Sequence, residues 1–344
     1  RRYSSAASDV YKRQKEIFTM ITTNSSEISR QTLHFGAGGM VKNFYGYSKT
    51  LPFDGANNPN QLRRVVWDND PSGEENFAQG EFLILNNIPF GSFCAHELEN
   101  PGSYPALRQL ENLGEVFNNL GHQLVLEGGC RGDRRNGAGA LQVSAYTGYD
   151  NLVNSLIEPA QDLMRHALQS RSSGNDELTR IPIYYKQFLA PGGSVGSGMS
   201  HCQAFLLRQE MRERGFEGMV VNLTLFLDVQ DQVSNLLRAR SNTFAFIQEH
   251  EELYTQNLPP VLIGTTLVER SPIYTYVNLV TNVDRNKNPY TEQQVMEMAA
   301  ACNHFTTFGP IADHLHAYPF INNLDQAKYP FNNFAQGLRI LSIP

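Results

Sequence analysis

Seven residues near the middle of the chain have the composition of a phosphate cradle. Gly192, Gly193, Ser194, Val195, Gly196, Ser197 and Gly198 stand between an extended apolar run ending at Leu189 and a long amphipathic stretch opening at Met199. Four glycines and two serines in seven positions leave backbone N–H groups accessible and add small hydroxyl donors. The first N–H groups of a helix have no partner inside it and lie at the positive end of its dipole, so such a loop before a helix suits an anion. No lysine follows the last glycine, which separates it from the G-x-x-x-x-G-K-[ST] loop.

Three other segments belong to the same kind of chemistry. Gly36, Ala37, Gly38 and Gly39, followed by Met40, close a short apolar run. Glycine there permits positive φ and close backbone approach, which serves a phosphate or simply a tight strand-to-helix turn. The segment approaches the dinucleotide pattern G-x-G-x-x-G, but Val41 occupies the third glycine position. Asp68, Asn69 and Asp70 form an acidic turn. Residues 128–140 form a loop rich in glycine and arginine that ends in Gly137, Ala138, Gly139 and Ala140. Its Arg131, Arg134 and Arg135 either meet phosphates or stand solvated.

These loops need elements to hold them. Apolar patterning predicts strands over 32–36, 64–68, 123–126, 181–189, 218–228 and 274–282. It predicts helices over 107–120 and 151–169, after the Gly192 loop to about Arg214 with Gly215 as the stop, over 231–254, and over 291–304 with Thr291 as N-cap. The polar stretch from Asp70 to about 105 offers no clear element. Alternating strands and helices imply an α/β fold, a Rossmann-like, mostly parallel sheet flanked by helices on both faces. In such a sheet ligands bind beyond the carboxyl ends of the strands, where all four loops fall.

The sequence from Gly192 to Met199 resembles the G-G-G-T-G-[ST]-G signature of the tubulin/FtsZ superfamily, with Ser194 and Val195 departing at the central G-T. The other loops follow in the family's order over residues 31–344. Gly36 to Met40 resembles the first phosphate loop. Asp68, Asn69 and Asp70 stand where the family places polar groups near magnesium-bound phosphates. Gly137 to Ala140 resembles the third loop, facing the γ-phosphate. Arg240 falls in the segment that contacts ribose, and Asn282 matches an Asn that reads the guanine edge. Asn323 and Asp325 resemble the N-x-D-x-x-[DE] catalytic loop, whose second acid is here Lys328.

The resemblance implies GTP/GDP as ligand with Mg2+ and a subunit that assembles head to tail with copies of itself. The catalytic loop of one copy would complete the site of the next. Eukaryotic tubulin has one subunit type with Lys at the position of Lys328, which implies slow or absent hydrolysis at the contact it completes. A nucleotide-binding domain over 31–308, with its central helix near 291–308, would then be followed at 309–344 by the catalytic-loop region and the start of a truncated second domain. Two other readings stay open. One is a nucleotide-binding scaffold that does not hydrolyse. The other is an NAD-dependent oxidoreductase built on Gly36–Gly39 with Asp68 for the ribose, which leaves the Gly192 loop unexplained.

Bulk properties narrow the classes further. The chain has 344 residues, 28 Lys+Arg, 34 Asp+Glu and a net charge of −6, with 41% apolar residues, enough for a substantial core. Residues 1–14 carry a net +3, which leaves −9 for the rest and no basic surface of the kind nucleic acid requires. Residues 1–19 read as a tail outside the fold, with Met20 a plausible start. No apolar run reaches the ~18 residues of a membrane span, and no apolar stretch of signal-peptide type follows the opening residues. Cys94, Cys130, Cys202 and Cys302 are isolated and read as reduced, buried thiols of a cytoplasmic protein. His96, His122, His201, His250 and His316 lack metal-ligand spacing.

Overall fold

Gln31–Ala37 (β1) is buried along its whole length, as a strand paired on both edges must be. A computed structural model describes residues 31–51, 58–85, 87–110, 113–115, 125–126, 128–171, 183–215, 219, 221–227, 236–282 and 290–308. In it β1 pairs in parallel with Leu62–Asp68 (β2) on one side and Ile183–Leu189 (β4) on the other. Phe82–Ile84 (β3) extends the sheet beyond β2, and Val221–Leu227 (β5) and Tyr274–Thr281 (β8) extend it beyond β4. The order is β3-β2-β1-β4-β5-β8, with every pairing parallel. Winding reverses between β1 and β4, which opens a crevice beyond Ala37 and Leu189, the ligand position of doubly wound sheets.

Helices cover both faces, as parallel strands buried on two sides require. Gly39–Thr50 (α1) and Glu292–Phe308 (α6) pack on one face. There Val41, Phe44 and Tyr45 meet Val66, Phe188, Phe226, Met296 and Ala300. Arg134–Arg171 (α3) and Ser194–Glu213 (α4) pack on the other face and against each other, over Leu33, Phe35, Val65, Trp67 and Leu223. Phe90–Glu99 (α2) and Leu236–Thr255 (α5) pack against α3 and α4 respectively.

One polar row crosses the α6 face: Arg64, His34, Lys186 and Asn222 lie in register and are all buried. Lys186 Nζ donates to Thr307 Oγ1 (2.8 Å), Thr306 Oγ1 (3.0 Å) and Asn303 Oδ1 (3.2 Å), so β4 grips the last turns of α6. Burial pulls this lysine down to about 7.

Several elements differ from the sequence reading. β3 and α2 lie inside the stretch that offered no element, because Pro71, Gly73, Gly80 and Pro89 break its pattern into pieces too short to show a period. α3 begins at Arg134, well before Asn151, and is interrupted at Gly148. Of the helix expected over 107–120, the described residues hold a 3-10 turn at Leu107–Gln109 and one helical piece at 113–115. Of the strand expected over 123–126, Leu126 forms a single bridge to Ile88. A hairpin of Val261–Ile263 (β6) and Thr266–Val268 (β7) was not foreseen. Among the described residues no helix is long and apolar enough to cross a membrane.

Candidate nucleotide site

The loops after β1 and β4 touch backbone to backbone. Gly38 has φ +94°, and a Cβ there would lie 3.3 Å from the Gly196 nitrogen. A Cβ on Gly196 would lie 2.8 Å from the Ala190 carbonyl oxygen and 3.2 Å from that of Ala37. A side chain at either position would push the loops apart. Gly38 N donates to Trp67 O (2.9 Å), which ties the same junction to β2.

Two helices start at this junction, α1 at Gly39 and α4 at Ser194. Their N-caps are Gly38 and Gly193, which make no side-chain capping bond, and neither first turn holds an acid. Two positive helix ends with accessible N–H groups therefore meet at one place, the chemistry of an anion site. They open onto a cleft of about 1030 Å³. Lys42, Asp68 and Asp70 also line it, together with Gly129, Cys130, Glu292 and Gln293. Asn43 Nδ2 donates to Glu292 Oε1 (3.2 Å), joining α1 to the start of α6. That start is capped as expected: Gln294 N donates to Thr291 Oγ1 (3.2 Å), and Thr291 N donates to Gln294 Oε1 (3.0 Å).

The expected site residues are distributed as follows. Ala37, Gly38, Gly39, Met40, Asp68, Asp70, Gly193, Ser194, Val195 and Gly196 come together around the cleft. Gly36 stands behind it within the sheet, where a Cβ would be 2.2 Å from Phe188 O. Asn69 is buried and its Oδ1 accepts from Cys130 Sγ (3.4 Å). Burial pushes the Cys130 thiol up to about 12, so it stays protonated and can donate.

Gly137, Ala138, Gly139 and Ala140 belong to the first turns of α3 rather than to a loop. Gly137 faces Ser194 O, where a Cβ would come within 2.2 Å, and Gly139 faces the Phe90 ring. Gly198 faces Arg134 O and Ala138 N in the same way. The glycines of these two segments let α3 and α4 cross almost in backbone contact. From the third loop, Gly129 and Cys130 reach the cleft.

Asn242 on α5 holds the loops together. Its Nδ2 donates to Gly132 O (2.9 Å) and Gly192 O (3.0 Å), and its carbonyl accepts from Ser197 Oγ (3.2 Å). Asn242→Ala is expected to lower the unfolding free energy by about 1 kcal/mol, since two part-buried hydrogen bonds that tie the loops together are lost; a urea titration measures it. Arg240 lies on the same helix with its side chain exposed. Asn282 closes β8, and its carbonyl accepts from Tyr290 N (2.6 Å). Neither is among the residues lining the cleft. Asn323, Asp325 and Lys328 lie outside the described residues.

Two of the three arginines of the third loop are engaged elsewhere. Arg134 pairs with Glu249 and donates to Ser197 Oγ (3.1 Å). Arg135 pairs with Asp133 (2.9 Å). Arg131 is exposed with φ +53°.

Sequence reasoning missed Lys42. Its Nζ lies 2.8 Å from Asp68 Oδ2 and donates to Asp70 O (2.7 Å) and Ser72 O (2.9 Å). The signal was a single cation in the first two turns of a helix whose neighbours Val41, Phe44 and Tyr45 are buried. Burial pushes the Asp68 carboxyl above its ordinary value, while the Lys42 ammonium pulls it back. The Ser72 amide holds Asp70 below its ordinary value. Asp68 is therefore not a free carboxylate: it pairs with Lys42 and also accepts from Asn69 N (2.8 Å). Among the described residues no cluster of three or more His, Cys, Asp or Glu could hold a metal ion.

No protein-family model and no curated protein matches the chain. Solved structures do. TubZ of Clostridium botulinum phage c-st is similar at 10% identity over 81% of this chain and 60% of that one, with a TM-score of 0.42. TubZ of Bacillus thuringiensis serovar israelensis is similar in its GDP-form protofilaments at 14% identity over 85% and 59%, with a TM-score of 0.40. Its GTPγS-form protofilament is similar at 14% identity over 80% and 54%, with a TM-score of 0.37. The chain spans at most 60% of the length of these solved chains.

Proposed function

We propose that this chain is a tubulin/FtsZ-type domain that binds a guanine nucleotide in the cleft and assembles head to tail with copies of itself. The observation that carries the reading is the contact of the Gly38 and Gly196 backbones at the sheet's switch point, where two uncapped helix N-termini face one cavity. A dinucleotide oxidoreductase needs the first of these loops and has no use for the second. The polyphosphate of a nucleoside triphosphate would use both, because it spreads charge over several oxygens and is held chiefly by positioned donors. Arg240 and Asn282 are assigned to ribose and base by the sequence resemblance.

Hydrolysis would depend on Asn323 and Asp325 from a neighbouring copy, and Lys328 in place of the second acid predicts slow turnover. Purified protein mixed with GTP should bind it in preference to NAD, pellet in a nucleotide-dependent way and release phosphate slowly. Failure to bind guanine nucleotide would sink the reading. Turnover that survives Asp325→Ala would remove the catalytic loop from it.

A further inference from the structure

We infer that Lys42 takes the electrostatic place of a divalent cation at this cleft, so that a nucleoside polyphosphate binds there without requiring Mg2+. The inference rests on the nucleotide reading above and specifies how that site handles charge. A lysine ammonium has three protons. Here two of them go to Asp70 O (2.7 Å) and Ser72 O (2.9 Å), and Nζ stands in ion-pair contact with Asp68 Oδ2 at 2.8 Å.

Lys42 and Asp68 side chains are 7% and 3% exposed, so the pair is fixed beneath the cleft rather than sharing a mobile surface charge. A buried pair of this kind is costly to break, because either partner left alone is an uncompensated charge in a poor dielectric. A metal competing for Asp68 would have to displace the ammonium and leave it stranded. Mg2+ gains its protein contacts mainly through one or two carboxylates beside the phosphates, and it dehydrates reluctantly. With Asp68 neutralised, the acidic turn neither repels a polyphosphate as two free carboxylates would nor offers a metal the same anchorage. The positive ends of α1 and α4 supply the remaining attraction.

The test is GTP affinity of the full chain by calorimetry, once with Mg2+ and once with EDTA. The expected result is agreement within about threefold, about 0.7 kcal/mol. A larger loss in EDTA overturns the role of Lys42 and leaves the nucleotide reading intact. Absence of GTP binding in both buffers overturns the nucleotide reading, and this inference with it. Lys42→Gln supplies the second measurement where circular dichroism shows it folded. It frees Asp68, so GTP affinity in EDTA should fall about tenfold and Mg2+ should restore most of it. A folded variant with no Mg2+ dependence overturns the inference. The wild-type comparison decides the matter whether or not the variant folds.

Discussion

Replacing Gly137 with alanine is expected to lower the unfolding free energy by about 3 kcal/mol or more, although it adds one methyl to a helix that should welcome it. In isolation Gly→Ala favours a helix by about 1 kcal/mol. Here the new Cβ would lie 2.2 Å from Ser194 O and 2.9 Å from its carbonyl carbon. Both are backbone atoms of the first residue of α4, so no rotamer change relieves the clash. α3 and α4 must separate, and the Gly193–Gly196 loop moves with α4. The same substitution at Gly39 meets nothing within 4 Å and serves as the control. Urea midpoints of the two variants should fall on opposite sides of the wild type. Equal midpoints would show that the two helices are not held at backbone contact. The loss at Gly137 should also weaken nucleotide binding, since the displaced residues line the cleft.

Acid should destabilise the protein well before its carboxylates titrate. Burial holds His250 at about 3, with His201 adding to the effect, and burial likewise holds His304 at about 3 beside Lys186 and Arg64. Both stay neutral in the folded chain while their unfolded counterparts take up protons below about 6.5. The unfolded state therefore binds more protons between about pH 6.5 and pH 3, and stability falls across that window as pH falls. Asp68, held above its ordinary value, acts in the opposite sense. The melting temperature should drop by about 10 °C or more between pH 7 and pH 4. His250→Phe should reduce that drop, because a phenyl ring can enter the stack formed by His201, Phe246 and Tyr274 without titrating. A variant with the full wild-type drop would remove His250 from the account.

The parallel sheet was legible because β1, β2, β4, β5 and β8 are apolar runs, and those at β1, β2 and β4 end in glycine-rich or acidic turns. The placement of the cleft followed from the same turns. What glycine patterns could not tell is what approaches the bare backbone. At Gly38 and Gly196 it is the opposing loop at the mouth of a cavity, whereas at Gly137 and Gly198 it is a neighbouring helix. The third loop looked like a phosphate contact for that reason, and part of it is a helix crossing. The Lys42–Asp68 pair was illegible for a different reason. Its partners are far apart in sequence on separate elements, and hydrophobic periodicity carries no information on which charges meet. β3 and α2 were missed because short elements between prolines and glycines show too few residues to establish a period.

The chain contains one tryptophan, Trp67. It is fully buried at the end of β2, its indole Nε1 donates to Ser155 Oγ (2.8 Å), and its carbonyl accepts from Gly38 N. It immediately precedes the acidic turn, so all tryptophan emission comes from one indole that touches the β1 loop through its own backbone. Intrinsic fluorescence therefore reads out this junction without a label. Unfolding will shift the emission to the red as the indole meets water, and a ligand that moves the Gly38 loop will report itself in the same spectrum.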